Sequence, residues 1–410
     1  MNNMFRSPLF LMALTIFIDF AGFGLILPFL PFWAEHLGAN PLEVGLILTL
    51  YALAQFMFTP ILGSLSDRFG RKPIIVVSLV IEAFSLALSG LAGSLVVLLI
   101  ARFLAGIGAS NIGSAQAVVA DVTPPEGRAR GMGMIGAAIG LGFVVGPAIG
   151  GLLSPLGSAV PFMVAMAAAM VNALLVIAFL PETHKQRGAT KTYPSAKKDS
   201  GLGQLLRNKT ITRFIVINLL FTMAFTAMEA VFALFSHHTF GWTAKVNGYI
   251  FTYVGFIVVI MQGGLVGQLV KRIRERTLLI AGLLMLAAGL ALLPWSTSLA
   301  FMLVTLALVS AGNGAVTPTT SALLSLASPR EAQGETLGFA QGIASVGRII
   351  GPLAAGSMYS LVGPGAPLLM GSVLTILAIL IALPTMPVLR KLGATEAIAI
   401  EKGEVEEISR

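Results

Sequence analysis

Asp19 lies in the middle of a long apolar run, Phe17-Ile18-Asp19-Phe20-Ala21-Gly22-Phe23-Gly24-Leu25-Ile26-Leu27-Pro28. A carboxylate at mid-bilayer depth costs about 2.5–3.5 kcal/mol on insertion scales, and residues that carry this cost mark proton or ion sites. Glu82 and Glu229 stand in two further apolar runs, and Arg102 and Arg348 are basic residues deep inside such runs. Buried acids and guanidiniums of this kind can carry protons, hold cationic groups of a substrate, or pair as packed ion pairs. The residues alone leave these uses open.

The elements that must position these groups are membrane helices. Only 11% of the 410 residues are charged and 56% are hydrophobic, against about 25% charged in a soluble domain. Apolar runs long enough to span a bilayer recur from end to end, which predicts an all-α polytopic membrane protein and excludes the alternating pattern of an outer-membrane barrel. Twelve spans are expected, at 8–33, 42–64, 73–92, 95–117, 131–153, 159–180, 210–236, 246–268, 277–294, 299–322, 334–360 and 366–389. The first run has no small-residue cleavage site after it, so it reads as a span rather than a signal peptide. With no cysteine in the chain, there is no disulfide frame and no thiolate metal site.

The net charge of +8 does not point to nucleic acid. Outside the spans, every basic residue except Lys245 falls in alternate connections, while the connections on the other side carry Glu35, Glu43 and Lys245. This is the positive-inside pattern, and it predicts a cytoplasmic (inner) membrane protein with both termini in the cytoplasm.

The chain divides into an expected six-helix bundle at 1–180, a cytoplasmic linker at 181–209, a second six-helix bundle at 210–389 and a charged tail at 390–410. The linker holds Lys185, Arg187, Lys191, Lys197, Lys198, Arg207 and Lys209, with a short amphipathic stretch near Leu202–Leu206. The halves echo each other. Val44-Gly45 through Gly63 returns weakly as Asn247-Gly248 through Gly267, and Gly146-Pro147 returns as Gly351-Pro352. A six-plus-six repeat is the pattern of a transporter whose halves rock about a central cavity near the midplane.

The connection after the second span reads Gly63-Ser64-Leu65-Ser66-Asp67-Arg68-Phe69-Gly70-Arg71-Lys72-Pro73. Gly63 suits close approach of another helix, Gly70 a tight turn, and Pro73 the first turn of the third span. In the fifth span Gly142, Gly146 and Gly150 recur every fourth residue and so line one face, which predicts close helix contact, and Pro147 interrupts the backbone ladder beside them.

The loop resembles the signature loop of the major facilitator superfamily, and the resemblance covers nearly the whole chain. Arg102-Phe103-Leu104-Ala105-Gly106-Ile107-Gly108-Ala109 resembles the family's fourth-helix motif, and Gly142 through Gly151 the fifth-helix motif of antiporters. Asp19 through Pro31, and Pro181-Glu182-Thr183, are similar to the tetracycline-efflux branch. The resemblance implies roles. Asp67 and Arg71, within Gly63, Arg68, Gly70 and Lys72, would form with Asp121 a cytoplasmic charge cluster that holds the outward-open state shut on the inside. Arg102 would tune a nearby carboxylate, and Gly142, Gly146, Pro147, Gly150 and Gly151 would form a close-packed hinge that limits leak. One position departs from the pattern: where tetracycline exporters carry a third-helix Asp, about one turn beyond Glu82, this chain has Ser85.

Gln55, Asn111, Gln116, Asn172, Asn218, Gln262, Asn313 and Gln341 are amides in or near spans, available to the cavity or to helix–helix bonds. Phe221, Met223, Phe225, Met228, Phe232 and Tyr253 could line an apolar pocket, although such residues more often face core or lipid. Gly131-Met132-Gly133-Met134-Ile135-Gly136 fits a dinucleotide fingerprint but opens a membrane helix, so the match is spurious. Asn208-Lys209-Thr210 matches a glycosylation sequence on the cytoplasmic side. His237-His238 looks like a metal pair, but no acidic or third His partner is expected nearby, and no metal is predicted.

The expected function is proton-coupled efflux of small amphipathic drugs, multidrug or tetracycline-like, by a monomer in the lipid bilayer. It would be driven by the proton motive force with no cofactor, no enzyme activity and no nucleic-acid partner. Two alternatives stand beside it: a flippase or exporter of a lipid, glycolipid or metabolite, and a receptor or scaffold that moves no cargo.

Overall fold

The computed structural model describes residues 7–124, 127–183, 208–329 and 332–385, and these contain helices and no strand. The linker basic residues from Lys185 to Arg207, the stretch near Leu202–Leu206 and the tail lie outside the described residues. Twelve long helices run alternately between a basic end, which carries the Lys- and Arg-rich connections, and a far end. They are α1 (Pro8–Ile26), α2 (Pro41–Phe69), α3 (Arg71–Gly90), α4 (Leu95–Val122), α5 (Arg128–Leu153), α6 (Val160–Phe179), α7 (Lys209–Phe240), α8 (Ala244–Arg272), α9 (Glu275–Leu292), α10 (Leu299–Ala327), α11 (Gln333–Leu361) and α12 (Ala366–Ala382). Ten of them are long and apolar enough to cross a membrane. The Gly- and Ser-rich α11 is more polar, and α12 has 17 described residues. Several helices outrun their apolar cores: α2 continues to Phe69, and α8 to Arg272.

Local chemistry sets the ends. Asn40 and Glu43 form a capping box at α2, with Pro41 in its first turn. Asn208, in the glycosylation-like triplet, is the N-cap of α7: its side-chain oxygen accepts from the amides of Thr210 and Ile211. Gly241 ends α7 in the left-handed conformation at φ 66°. Two helices are irregular inside. A turn of 3₁₀ helix, Ala109–Asn111, breaks α4, and a π-turn, Met261–Leu265, holds the Gly263-Gly264 pair of α8. Such turns recur at functional sites.

The first six helices pack on one another around Leu11, Ile16, Leu79, Val118, Ile135 and Val176. The last six do so around Phe214, Leu283, Leu286, Leu306 and Val309. Phe221, Met228 and Phe232 belong to this second core. Between the two groups, α2 meets α11 and α5 meets α8.

Both cross-group contacts are built from the echoed glycines and prolines. A Cβ on Gly45 would collide with the Pro352 carbonyl, and one on Gly248 would stand 2.7 Å from the Pro147 oxygen. Gly356 packs on Pro41 and Leu42, as Gly151 packs on Gly248. Toward the basic end the contacts fade. On the α5–α8 side Gly255 lies by the Phe143 carbonyl and Gly140 by Val259, but nothing approaches Gly136 or Gly133 on α5, or Gly263, Gly264 and Gly267 on α8. On the α2–α11 side the Thr49 hydroxyl donates to the Ile349 carbonyl at 2.9 Å, and beyond it Gly342, Gly338 and Gly334 face open space. The halves touch at the far end and diverge toward the basic end, leaving a gap between them that opens there.

Gly63 corrects one expectation. No atom lies within 4 Å of where its Cβ would be, so no helix is close to it. It sits at the basic end of α2, where the halves are apart.

Candidate functional site

Asp19 lies at the level where the halves part, because Gly142 of α5 packs on its neighbour Phe20 and Gly140 is the last α5 glycine to meet α8. Asp19 is 7% exposed. The Asn111 amide nitrogen donates to its Oδ2 at 2.8 Å, and the Asn172 amide to its Oδ1 at 3.5 Å. Asn172 in turn accepts the Thr15 hydroxyl proton at 3.1 Å. The 3₁₀ turn of α4 ends at Asn111, and the Gln55 side chain donates to the Ala109 carbonyl of that turn at 3.1 Å. Asn111 and Asn172 were two candidates among eight amides. Only three-dimensional packing singles them out, since they come from α4 and α6 to one carboxylate of α1.

Glu82 and Arg102 are buried beside this cluster, at 8% and 3% exposure. Glu82 sits where α3 and α4 nearly touch: a Cβ on Gly108 would be 2.8 Å from its backbone nitrogen. Its Oε2 and the Arg102 Nε find no hydrogen-bond partner among the described residues. The Arg102 Nη2 donates to the Ser89 hydroxyl at 3.1 Å. Ser85 is fully buried, and its hydroxyl donates to the Glu82 carbonyl of its own helix at 2.7 Å. Asp19, Glu82 and Arg102 lie within electrostatic reach of one another, without a direct ion pair.

In the second half Arg348 is next to Ile349, at the same level, and its Nη2 donates to Ser345 at 2.8 Å. Glu229 is half-buried on α7, on the far-end side of the Gly351 contact with Met223, and within electrostatic reach of Arg348. Tyr51, which the sequence did not single out, links the two sets. Its ring packs on Phe23 at 5.2 Å between centroids, its carbonyl lies against Gly106, and its hydroxyl group feels Asp19, Glu82 and Arg102 of one half and Arg348 of the other.

The basic end of the first half holds the second cluster. The Arg71 Nη1 meets Asp67 at 2.6 Å and donates to the Ser66 hydroxyl at 2.7 Å, while its Nε meets Asp121 at 3.3 Å. Sequence reasoning missed Glu182 as a member. Its carboxylate accepts from the Arg71 backbone amide at 2.9 Å, at the N-terminus of α3 where a negative charge is favoured. Lys72 donates to the Ile177 carbonyl at 2.7 Å, so the loop is tied to the end of α6, and Arg68 stacks over Phe69. Gly70 has φ 106°, and a Cβ there would strike the Glu182 carboxyl carbon at 2.8 Å. Gly70→Ala is therefore expected to cost about 1–3 kcal/mol. A thermal melt of the purified protein checks this: a drop of several degrees is expected, and an unchanged midpoint would refute the strain.

The fifth-helix glycines pack as their spacing requires. Gly142 and Gly146 lie against Phe20 and Ala21 of α1, Gly150 against Leu25, and Pro147 against Gly24. Gly151 faces α8 instead, so α5 is wedged between its own half and the other. The histidine pair needs a correction: His238 has an acidic partner, Glu35, at 3.3 Å. Among the described residues no three His, Asp or Glu side chains gather as a metal site would need.

Residues 12–278 and 263–401 match the family profile of the Major Facilitator Superfamily. The chain is 31% identical over 364 residues to Multidrug resistance protein 2 of Bacillus subtilis (strain 168), covering 87% of this chain and 90% of that one. It is 30% identical over 349 residues to the class C tetracycline resistance protein of Escherichia coli, covering 84% and 88%. Its fold matches an inward-facing, occupied crystal structure of a bacterial homologue of the human lysosomal transporter Spinster, with a TM-score of 0.72 at 18% identity, over 93% and 96% of the two chains. Family and structural neighbours are transporters, not enzymes. The signature loop, the repeat and the profile match together make this chain a member of the Major Facilitator Superfamily.

Proposed function

We propose that this transporter expels small amphipathic drugs, cationic or zwitterionic, in exchange for protons, working as a monomer in the cytoplasmic membrane with its basic end in the cytoplasm. The observation that carries the reading is Asp19: a buried carboxylate held by two amides at the apex of the gap between the halves. Relatives described as tetracycline and multidrug resistance proteins support the substrate class. With the basic end inside, the structure is the inward-open form, ready to take substrate from the cytoplasm.

Each residue then has a task. Ionised, Asp19 accepts from Asn111 and Asn172 and offers negative charge to a cationic substrate group. In the outward-open form a proton from the acidic side neutralises Asp19, which weakens that attraction and releases the substrate outside. The halves rock, the proton leaves to the cytoplasm, and the cycle repeats. Glu82 and Glu229 stand near as alternative carriers, with Arg102 and Arg348 balancing their charge. The motive force supplies about 2.3 kcal/mol per charge per 100 mV before the pH gradient is added. The Asp67–Arg71–Asp121 cluster with Glu182 holds the first half's basic end in one shape and docks the second half when the gap closes.

The test is purified protein in proteoliposomes with an imposed pH gradient and a trapped pH dye. Tetracyclines, quinolones and cationic dyes are added in turn. Substrate-triggered proton movement is expected for at least one class. Silence with every compound would overturn the drug–proton reading and direct the search to lipid, glycolipid or metabolite cargo.

A further inference from the structure

The far end is closed by more than glycine contacts. A short helix, Leu30–His36, follows α1 there and is tied to α3 by the Trp33 indole, which donates to the Ser89 carbonyl at 3.0 Å. From this first-half element Glu35 reaches across to the second half. Its carboxylate stands 3.3 Å from Nε2 of His238, on the last turns of α7. The other ring nitrogen of His238, Nδ1, is 2.7 Å from the Tyr359 hydroxyl on α11. The imidazole is thus spanned between a carboxylate of one half and a phenol of its own half.

The neighbouring histidine, whose ring centre lies 5.7 Å from that of His238, has its own partners. His237 Nδ1 donates to the Trp242 carbonyl at 2.9 Å, and its ring meets Phe32 edge-on at 5.1 Å. Two other titratable groups around the far end have their own contacts: His36 stacks on Trp33, and Glu43 of α2 accepts from the Asn40 amide. Glu35 and Tyr359 are the titratable groups of other elements that meet the His238 ring.

We propose that Glu35, His238 and Tyr359 form a proton-operated latch on the face that shuts in this structure. A neutral imidazole can donate one hydrogen bond, from Nε2 to Glu35, while Nδ1 accepts the Tyr359 proton. A protonated imidazole donates from both nitrogens and adds a full ion pair between the halves. Opening the far end parts His238 from Glu35 and leaves both in water. The closed form therefore binds the latch proton more tightly than the open form. Acid favours closure, and the bias is lost once the ring is neutral and the ion pair with Glu35 is gone. His238 and Glu35 keep side-chain exposures of 44% and 26%, so the effect is that of a part-exposed pair, about a two- to five-fold change in the ratio of closed to open protein. In the proposed cycle this is a brake that responds to external acidity, and it needs neither the cargo nor the coupling described above.

The chain has no cysteine, so spin labels at Leu91→Cys and Val362→Cys, exposed positions at the far end of the two halves, report one distance. The measurement is pulsed electron resonance in nanodiscs without substrate, with Asp19→Asn, Glu82→Gln and Glu229→Gln present to silence the spanning acids. Between about pH 8 and pH 5.5 the short-distance fraction is expected to rise by the factor given above. The response is expected to vanish in Glu35→Gln and in His238→Gln, and His238→Lys should hold the acid-like ratio at both pH values. A pH response that persists in both glutamine variants, or a flat response before they are made, would overturn the latch. Failure of drug-driven proton movement in liposomes would leave this result standing.

Discussion

Asp19→Asn is expected to abolish substrate-driven proton movement, down to the level of protein-free liposomes, while substrate exchange without a gradient stays within about tenfold of wild type, about 1.4 kcal/mol. The split follows from the geometry. Asparagine matches the volume of aspartate, and its oxygen still accepts from the Asn111 amide, which lies 2.8 Å from Oδ2. Only the contact with Asn172, at 3.5 Å, then faces donor to donor, and that amide can rotate against the Thr15 hydroxyl. The packing therefore survives and the titrating group is lost. Radiolabelled substrate counterflow, run beside the pH-dye assay, separates the two quantities. Loss of both together would mean that Asp19 holds the structure or the substrate rather than the proton. Proton movement that survives in the variant would move the role to Glu82 or Glu229.

Gly45→Val and Gly248→Val should each shift the protein away from the form seen here by about tenfold or more, about 1.4 kcal/mol. Neither contact has space for a side chain: the Pro352 carbonyl overlaps the Cβ position of Gly45, and the Pro147 oxygen is 2.7 Å from that of Gly248. Both obstacles are backbone, so no rotamer change relieves them. The same spin-label pair should report a long distance at every pH, and drug movement should fall with it. Gly93→Val, in open space at the same end, should leave the distance unchanged. Gly63→Val has the opposite sign. Nothing lies near Gly63 in this form, so the substitution would tax only the form in which the basic ends meet, and the short far-end distance should be retained. A Gly45 variant that closes normally would mean that the α2–α11 contact is loose enough to be dispensable.

The sequence displays some parts of this architecture because they repeat or obey a period. The four-residue spacing of Gly142, Gly146 and Gly150 specifies a contact face whatever its partner, and the structure supplies α1 as that partner. The echo of Gly45 in Gly248 and of Pro147 in Pro352 implies a paired architecture, yet nothing in one strand of text says that Gly45 meets Pro352 and Gly248 meets Pro147, a crossed pairing between halves. Asp19 was visible as an isolated charge. Its two amides were not, since Asn111 and Asn172 are distant in the chain and their sequence neighbourhoods match those of amides, such as Gln116 and Gln262, whose side chains are exposed. Tyr51 carries no signal beyond being a tyrosine in an apolar run. Glu35 and His238 failed for the same reason in the other direction: a pair separated by most of a bundle cannot be matched by spacing. Gly63 suits close helix approach by type, but a sequence does not say in which conformer a partner would meet it, and here none does.

The crossed glycine–proline contacts act as two bearings. A rigid body seated at two separate points keeps a single rotation, about the line that joins them; twist and slide are blocked as long as both stay seated. The mouth at the basic end can thus breathe wider or narrower at little cost, like a door on two pins. Lifting one pin alone would leave the door hanging from the other with nothing to fix its axis. The bearings are equivalent by repeat, so they are expected to unseat together, and the passage from this form to the opposite one should follow a single exponential with no half-lifted species.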